Sequence, residues 1–323
     1  MPMTAAVAVR AGAAAEVVEL ERRERPRPGP GEVVVRMTAA TVNPSDLLTI
    51  AGVYPSRTVF PFVPGFEGVG VVAATGVGVP ENLAGRRVLP IGSAGAWQEH
   101  KRVEAGWCVP VPDDIADRAA CFAYVNPLTA LAMVDLFVPP RTRAAVVTAA
   151  SSAIAGQLAE LLALRGVPAV GLTRGTPGRS VADPGLWAGV VRLGAPGWPR
   201  ELAALLPADG ADVVFDCVGG PLGAALLDRL APHGRLVQYG LLSGRPIPAA
   251  AGGAADPRIV PFHLRRLVHG APRPQLLGLF DRAFAHLRAG RLATRVGAEH
   301  PFGDLRAALR RPPAGGGKPL IVF

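Results

Sequence analysis

The apolar run AAVVTAA, residues 144–150, breaks into Ser151-Ser152-Ala153-Ile154-Ala155-Gly156 and then into an amphipathic stretch ending LLALRG. A strand, a small-residue turn and a helix in that order can bring backbone amides to a pyrophosphate. The start of a helix carries unpaired N–H groups and the positive end of the dipole. Ala and Ser stand where the usual fingerprint has its early glycines, which leaves Gly156 for close helix–strand packing. Ser152, Ala153, Ile154, Ala155 and Gly156 are therefore candidate dinucleotide-binding residues, although an ordinary strand–turn–helix reads equally well. The next apolar run, PAVGLTR (168–174), discriminates more. It ends on Arg174, where an NAD site needs a carboxylate for the ribose hydroxyls. A guanidinium there suits a 2′-phosphate through charge-assisted hydrogen bonds, so the position favours NADPH over one more surface arginine. Tyr239-Gly240-Leu241-Leu242 closes a later run, GRLVQYG, at the strand end where a dinucleotide crosses a parallel sheet.

The elements that must carry these residues are legible in outline. The runs at 144–150, 168–174, 213–220 and 234–240 lack alternation and are separated by helical stretches, the pattern of a parallel sheet buried on both faces. Residues 1 to about 110 instead alternate short β-like runs with Gly/Pro turns, which predicts an antiparallel, barrel-like unit. PRPGPG (26–31) reads as a rigid turn joining two of its strands. Helices are expected over Asp113–Ala123, Pro127–Val134 and Leu276–Arg288, and an irregular edge over Thr176–Gly185. A strand, PLIVF, ends the chain; if it rejoins the first unit, the chain enters and leaves the nucleotide domain once. The expected division is 1–112 and 269–323 for the barrel-like domain and 113–268 for the doubly wound one.

Composition removes other classes. Among 323 residues, 34 Lys+Arg against 25 Asp+Glu give a net charge of +9, but only Lys101 and Lys318 are lysines. The arginines are scattered without a dense run, so nucleic-acid binding is not expected. No apolar run reaches the roughly 18 residues of a membrane helix, and the N-terminal MPMTAAVAVR, without a basic n-region ahead of an apolar stretch, is not expected to be a signal peptide. Cys108, Cys121 and Cys217 are odd in number and far apart, which points to a reducing cytoplasm.

Several segments together resemble the zinc-independent medium-chain dehydrogenases/reductases, and within them the mitochondrial-type 2-enoyl thioester reductases. The segments are VNPSDLLTIAGVYPS (42–56), VPGFEGVGVVAATG (63–76), VNPLTAL (125–131), FDCVGG (215–220), LAPHGRLVQYGLLSG (230–244) and GGGKPLIVF (315–323). They follow family order across nearly the whole chain. The resemblance implies a GroES-like catalytic domain split in sequence around an inserted Rossmann domain. Zinc-dependent relatives carry a cysteine and a His-Glu pair where this chain has Asn43-Pro44-Ser45-Asp46 and Gly65-Phe66-Glu67. No zinc is expected, and Glu67 reads as a structural remnant.

The resemblance further implies reduction of an α,β-unsaturated thioester or enone by NADPH. The substrate would be a small molecule or an acyl chain on coenzyme A or acyl-carrier protein, and the protein a homodimer. Quinone reduction by the same fold, and NADPH binding without turnover, are the alternatives. Tyr54 matches the family's proton donor, and a phenol of pKa near 10 is a fitting acid for a basic enolate carbon. Asn126, with Thr129, matches the loop beside the nicotinamide, though an Asn before Pro also reads as a helix N-cap. Lys318 matches a tail lysine that reaches the cofactor in relatives. Asn43 and Arg273 are candidates for substrate binding. Ala271-Pro272-Arg273 replaces a Phe-Trp pair usual in enoyl reductases, which implies a reshaped acyl pocket.

Overall fold

The structure is a computed structural model. It describes residues 2–53, 58–249, 256–310 and 317–323, apart from the side chain of Arg179. Tyr54 lies outside the described residues.

Contacts divide the chain into one unit of Met1–Val125 with Val268–Phe323 and a second of Asn126–Leu267. In the first, β1 (Pro2–Ala8) and β2 (Val18–Glu24) pair antiparallel as a separate two-stranded sheet. There follow β3 (Glu32–Thr41), β4 (Gly68–Thr75), β5 (Arg87–Pro90), β6 (His100–Glu104) and β7 (Cys108–Pro110). The turn at 26–31 thus joins strands of different sheets, because β2 pairs back on β1 and not on β3. The alternating and glycine-broken pattern serves antiparallel pairing: β3 pairs with β4 and β6, β4 with β5, and β5 with β7. Val33, Val35, Met37 and Trp97 are at most 1% exposed and centre its core. Trp97 also donates from Nε1 to Thr41 O at 2.9 Å, so this large ring is buried without an unpaired N–H. Gly65, at φ +92°, permits that packing, since a Cβ there would stand 2.5 Å from the indole.

The second unit holds β8 (Ala145–Val147), β9 (Ala169–Thr173), β10 (Gly189–Arg192), β11 (Ala211–Asp216), β12 (Leu230–Gln238) and β13 (Ile259–Pro261). All pair parallel, in the order β10-β9-β8-β11-β12-β13. β8 and β9 are buried at every residue, as unbroken apolar runs require. β10 and β13 escape sequence reading because each is an edge strand of only three or four residues, too short for a periodic pattern to be read. The order turns back between β8 and β11, which defines a Rossmann-type topological switch point. Residues 176–185 form one helical turn, Pro177–Ser180, and a 3-10 turn, Pro184–Leu186.

The chain then adds β14 (Val296–Pro301) and β15 (Lys318–Val322) to the first unit's sheet, β15 lying antiparallel to β3. Residues 113–125 group with the first unit. Arg87 ties them there, donating to Pro112 O at 2.7 Å, Ile115 O at 2.8 Å and Asp117 Oδ1 at 2.9 Å.

Candidate functional site

At the switch point, β8 runs through Thr148 into Ala149, which takes φ +51°, and then into the helix Ala153–Leu164. Ser152 is the N-cap; its Oγ accepts from Ala155 N at 3.3 Å. The amides of Ala153 and Ile154 have no intrahelical acceptor, as at any helix start, and form the donor set a pyrophosphate requires. Gly156 does not pack helix against strand as the sequence suggested: nothing lies within 4 Å of where its Cβ would stand. The close approach belongs instead to Gly171 of β9, where a Cβ would meet Ala150 at 2.8 Å and Trp187 at 2.9 Å. The helix start therefore keeps open space over Gly156, which fits a dinucleotide. Arg174 is exposed one residue beyond β9, with no hydrogen bond or ion pair among the described residues.

The neighbouring strand end is fastened by Asp216, which no motif in the sequence marks as a site residue. Its carboxylate accepts from Thr148 Oγ1, Val218 N and Gly219 N, each at 2.9 Å, while Thr148 Oγ1 accepts from Cys217 N at 3.0 Å. These bonds hold the turn through Gly219 and Gly220, at φ +70° and +60°, against the end of β8. Burial raises the Asp216 carboxyl above its ordinary range, opposed by these donors. A polar residue ending an apolar strand, as in AAVVT and VVFD, was the available signal. Tyr239 follows β12 with its hydroxyl buried against the Cys217 thiol, and burial raises both groups, Cys217 to about 11. Gly240 lets this loop approach Cys217, whose Cβ would lie 2.9 Å from an added methyl. Leu241 and Leu242 complete the strand-end loop, and Leu242 is 47% exposed.

The first unit contains a second polar centre. Asn43, Asp46 and Glu67 are 1–2% exposed. Asp46 accepts from Asn43 N at 2.7 Å and Phe66 N at 2.9 Å, which closes the start of the helix Pro44–Ile50 onto the 65–67 segment. Glu67 accepts from Asn43 Nδ2 at 3.0 Å, Tyr124 N at 3.1 Å and Val125 N at 2.7 Å. Lys318, from the start of β15, donates to Asn43 Oδ1. Glu67 is thus no bystander left from a metal site; it joins three parts of the chain. Among the described residues, no group of three or more His, Cys, Asp or Glu side chains is placed to hold a metal.

Burial pushes the Asp46 carboxyl up from its ordinary 3.8 to about 7, against the two N–H donors. A group that holds its proton more tightly folded than unfolded makes stability fall as pH rises between those two values. In urea unfolding from about pH 4 to about pH 8, the stability advantage of wild type over Asp46→Asn should shrink towards about pH 7 and then level. A pH-independent advantage would show Asp46 ionised throughout.

The remaining candidates are placed as follows. Asn126 and Thr129 are buried in the helix Val125–Phe137, which begins one residue before Asn126, so Asn126 is not its N-cap. Lys318 and Asn43, expected at cofactor and substrate, meet each other in the buried cluster. Arg273 opens the helix Arg273–Arg288 and donates from Nη2 to Cys108 O at 3.2 Å, while Nη1 is buried with no hydrogen-bond partner among the described residues.

Comparison with known proteins agrees with this architecture. Residues 29–113 match the alcohol dehydrogenase GroES-like domain family and residues 200–316 the zinc-binding dehydrogenase family. The bovine mitochondrial enoyl-[acyl-carrier-protein] reductase is 31% identical over 290 residues, covering 86% of this chain and 76% of the relative. The Arabidopsis thaliana protein of that name is 36% identical over 228 residues, covering 67% of this chain and 59% of its own length. A Bacillus thuringiensis crystal structure described as an NADPH:quinone reductase superposes with TM-score 0.91 at 29% identity, covering 100% of this chain and 99% of that one. The chain belongs to the zinc-independent medium-chain dehydrogenases/reductases. Within that family it resembles the mitochondrial-type 2-enoyl thioester reductases in sequence.

Proposed function

We propose that this protein reduces the C=C bond of an α,β-unsaturated carbonyl, an enoyl thioester or a related enone, with NADPH as reductant. The 31% identity with the bovine enoyl-[acyl-carrier-protein] reductase along 290 residues carries this reading. The cofactor, when bound, supplies the hydride that reaches the β-carbon. In this reading the amides of Ala153 and Ile154, capped by Ser152, hold the pyrophosphate, and Arg174 holds the 2′-phosphate. Asn126, Thr129 and the Tyr239–Leu242 loop line the nicotinamide half, and Tyr54 gives the proton to the α-carbon. Arg273, tied to the Cys108 carbonyl, is assigned a structural part. The substrate is a free small molecule or an acyl group on coenzyme A or acyl-carrier protein, and the active species a cytoplasmic homodimer. The catalytic domain is assigned to the two ends of the chain and the nucleotide domain to its middle.

Quinone reduction is the second reading, favoured by the 0.91 TM-score with the Bacillus thuringiensis protein. Oxidation of NADPH and of NADH should be compared with crotonyl-CoA, an enoyl-acyl-carrier protein and a naphthoquinone. The proposal expects NADPH with a thioester or enone to be fastest. Tyr54→Phe is expected to lose about 100-fold in turnover on that substrate, the scale of one general acid. Fastest reaction with the quinone, or full activity in Tyr54→Phe, would displace the first reading or the proton-donor role respectively.

A further inference from the structure

Three side chains and two backbone amides form a directed chain, with Asn43 and Glu67 buried and Lys318 half-buried. The Lys318 ammonium donates to Asn43 Oδ1, Asn43 Nδ2 donates to Glu67 Oε2, and Glu67 Oε1 takes the amides of Tyr124 and Val125. Each link depends on the last. With its oxygen on a cation and its nitrogen on an anion, the Asn43 amide has one orientation, and reversing it would set donor against donor. The Asn43 backbone is fixed as well, because its N–H is held by Asp46. Glu67 ends the chain on two successive amides, and Val125 is the first residue of the helix that carries Asn126 and Thr129. Lys101, the other lysine of the protein, donates to the carbonyls of Pro90 and Ser93 and takes no part in this relay among the described residues.

We propose that Lys318 is a positioning residue: through Asn43 and Glu67 it sets the first turn of the helix 125–137, and so the placement of Asn126 for the nicotinamide cofactor. This places Lys318 behind the site and not on the cofactor itself. The neighbouring Asp46 and Cys121 share the pocket, and burial lowers the affinity of Lys318 for its proton while Glu67 and Asp46 oppose that loss. A cation without a carboxylate would be costly here, and a carboxylate without the cation equally so.

The proposal rests on the NADPH reading of Asn126, so the test separates the two. Lys318→Met, Lys318→Arg, Asn43→Ala and the Lys318→Met/Asn43→Ala double variant are compared for NADPH dissociation constant, for KM and kcat, and for hydrogen exchange at the amides of 124 and 125. Expected for Lys318→Met are NADPH binding about 10-fold weaker with kcat within about twofold, faster exchange at both amides, and recovery in Lys318→Arg. Because the lysine acts through Asn43, the double variant should be no weaker than about 10-fold, where independent roles would give about 100-fold. Unchanged NADPH binding and exchange in folded Lys318→Met, or multiplied effects in the double variant, would overturn the relay. If Lys318→Met does not fold, Asn43→Ala alone must accelerate exchange at 124 and 125 and weaken NADPH; failing that, the proposal is lost. Wild type that does not bind NADPH would refute the cofactor reading, while exchange at the two amides still reports on the relay.

Discussion

Glu67→Ala is expected to lower the unfolding free energy by about 3–5 kcal/mol, the range found when a buried charge or its partners are left uncompensated. The side chain is 2% exposed and accepts three hydrogen bonds, two of them from adjacent backbone amides. Truncation strands those donors away from water. It also leaves Asn43 with a cation on its oxygen and nothing on its nitrogen. For a domain held by roughly 5–15 kcal/mol in total, this is a large fraction. Glu67→Gln keeps the volume and an oxygen for the Tyr124 and Val125 amides but turns an NH2 towards Asn43, so an intermediate loss of about 1–2 kcal/mol is expected. Urea unfolding with an unchanged slope would measure both. Equal stability of the two variants would mean that the three bonds are replaced by water on truncation.

Asp216→Ala should cost about 2–4 kcal/mol and weaken NADPH binding about 10-fold or more. Here the carboxylate is 0% exposed and organises the end of β11, with Thr148 on one side and the amides of Val218 and Gly219 on the other. Two consecutive glycines at positive φ have little conformational preference of their own, so the carboxylate that takes the Val218 and Gly219 amides contributes strongly to holding the turn. Asp216→Asn retains one oxygen and should bind NADPH more tightly than the alanine variant. Titration by nicotinamide fluorescence separates the outcomes. Wild-type affinity in Asp216→Ala would exclude the 217–220 turn from the cofactor site.

Asn126, Gly156 and Glu67 show where sequence reasoning stops. An Asn before a proline has the local chemistry of a helix cap, yet the helix opens at Val125, at an amide held by Glu67 from 58 residues away. Gly156 sits where packing was expected, but Gly171 on the next strand makes the close approach, a fact of strand order and not of spacing. Glu67 looked vestigial because its ligand-bearing neighbours had changed. Its present partners were recognisable only by distance in space.

By itself the sequence determined the two textures: unbroken apolar runs for a parallel sheet, and glycine-punctuated alternation for an antiparallel one. Both follow from how many faces of a strand are buried, a property each segment writes into its own residues. The strand–turn–helix at 144–164 and Arg174 after β9 were legible for the same reason. Only the tertiary structure decided that Lys318 and Asn43, 275 residues apart, share one hydrogen bond, and that Asp216 anchors the switch point. Such partners are chosen by strand pairing, since β15 must lie beside β3 and β11 beside β8 before these side chains can meet. Periodicity along the chain carries no record of that pairing.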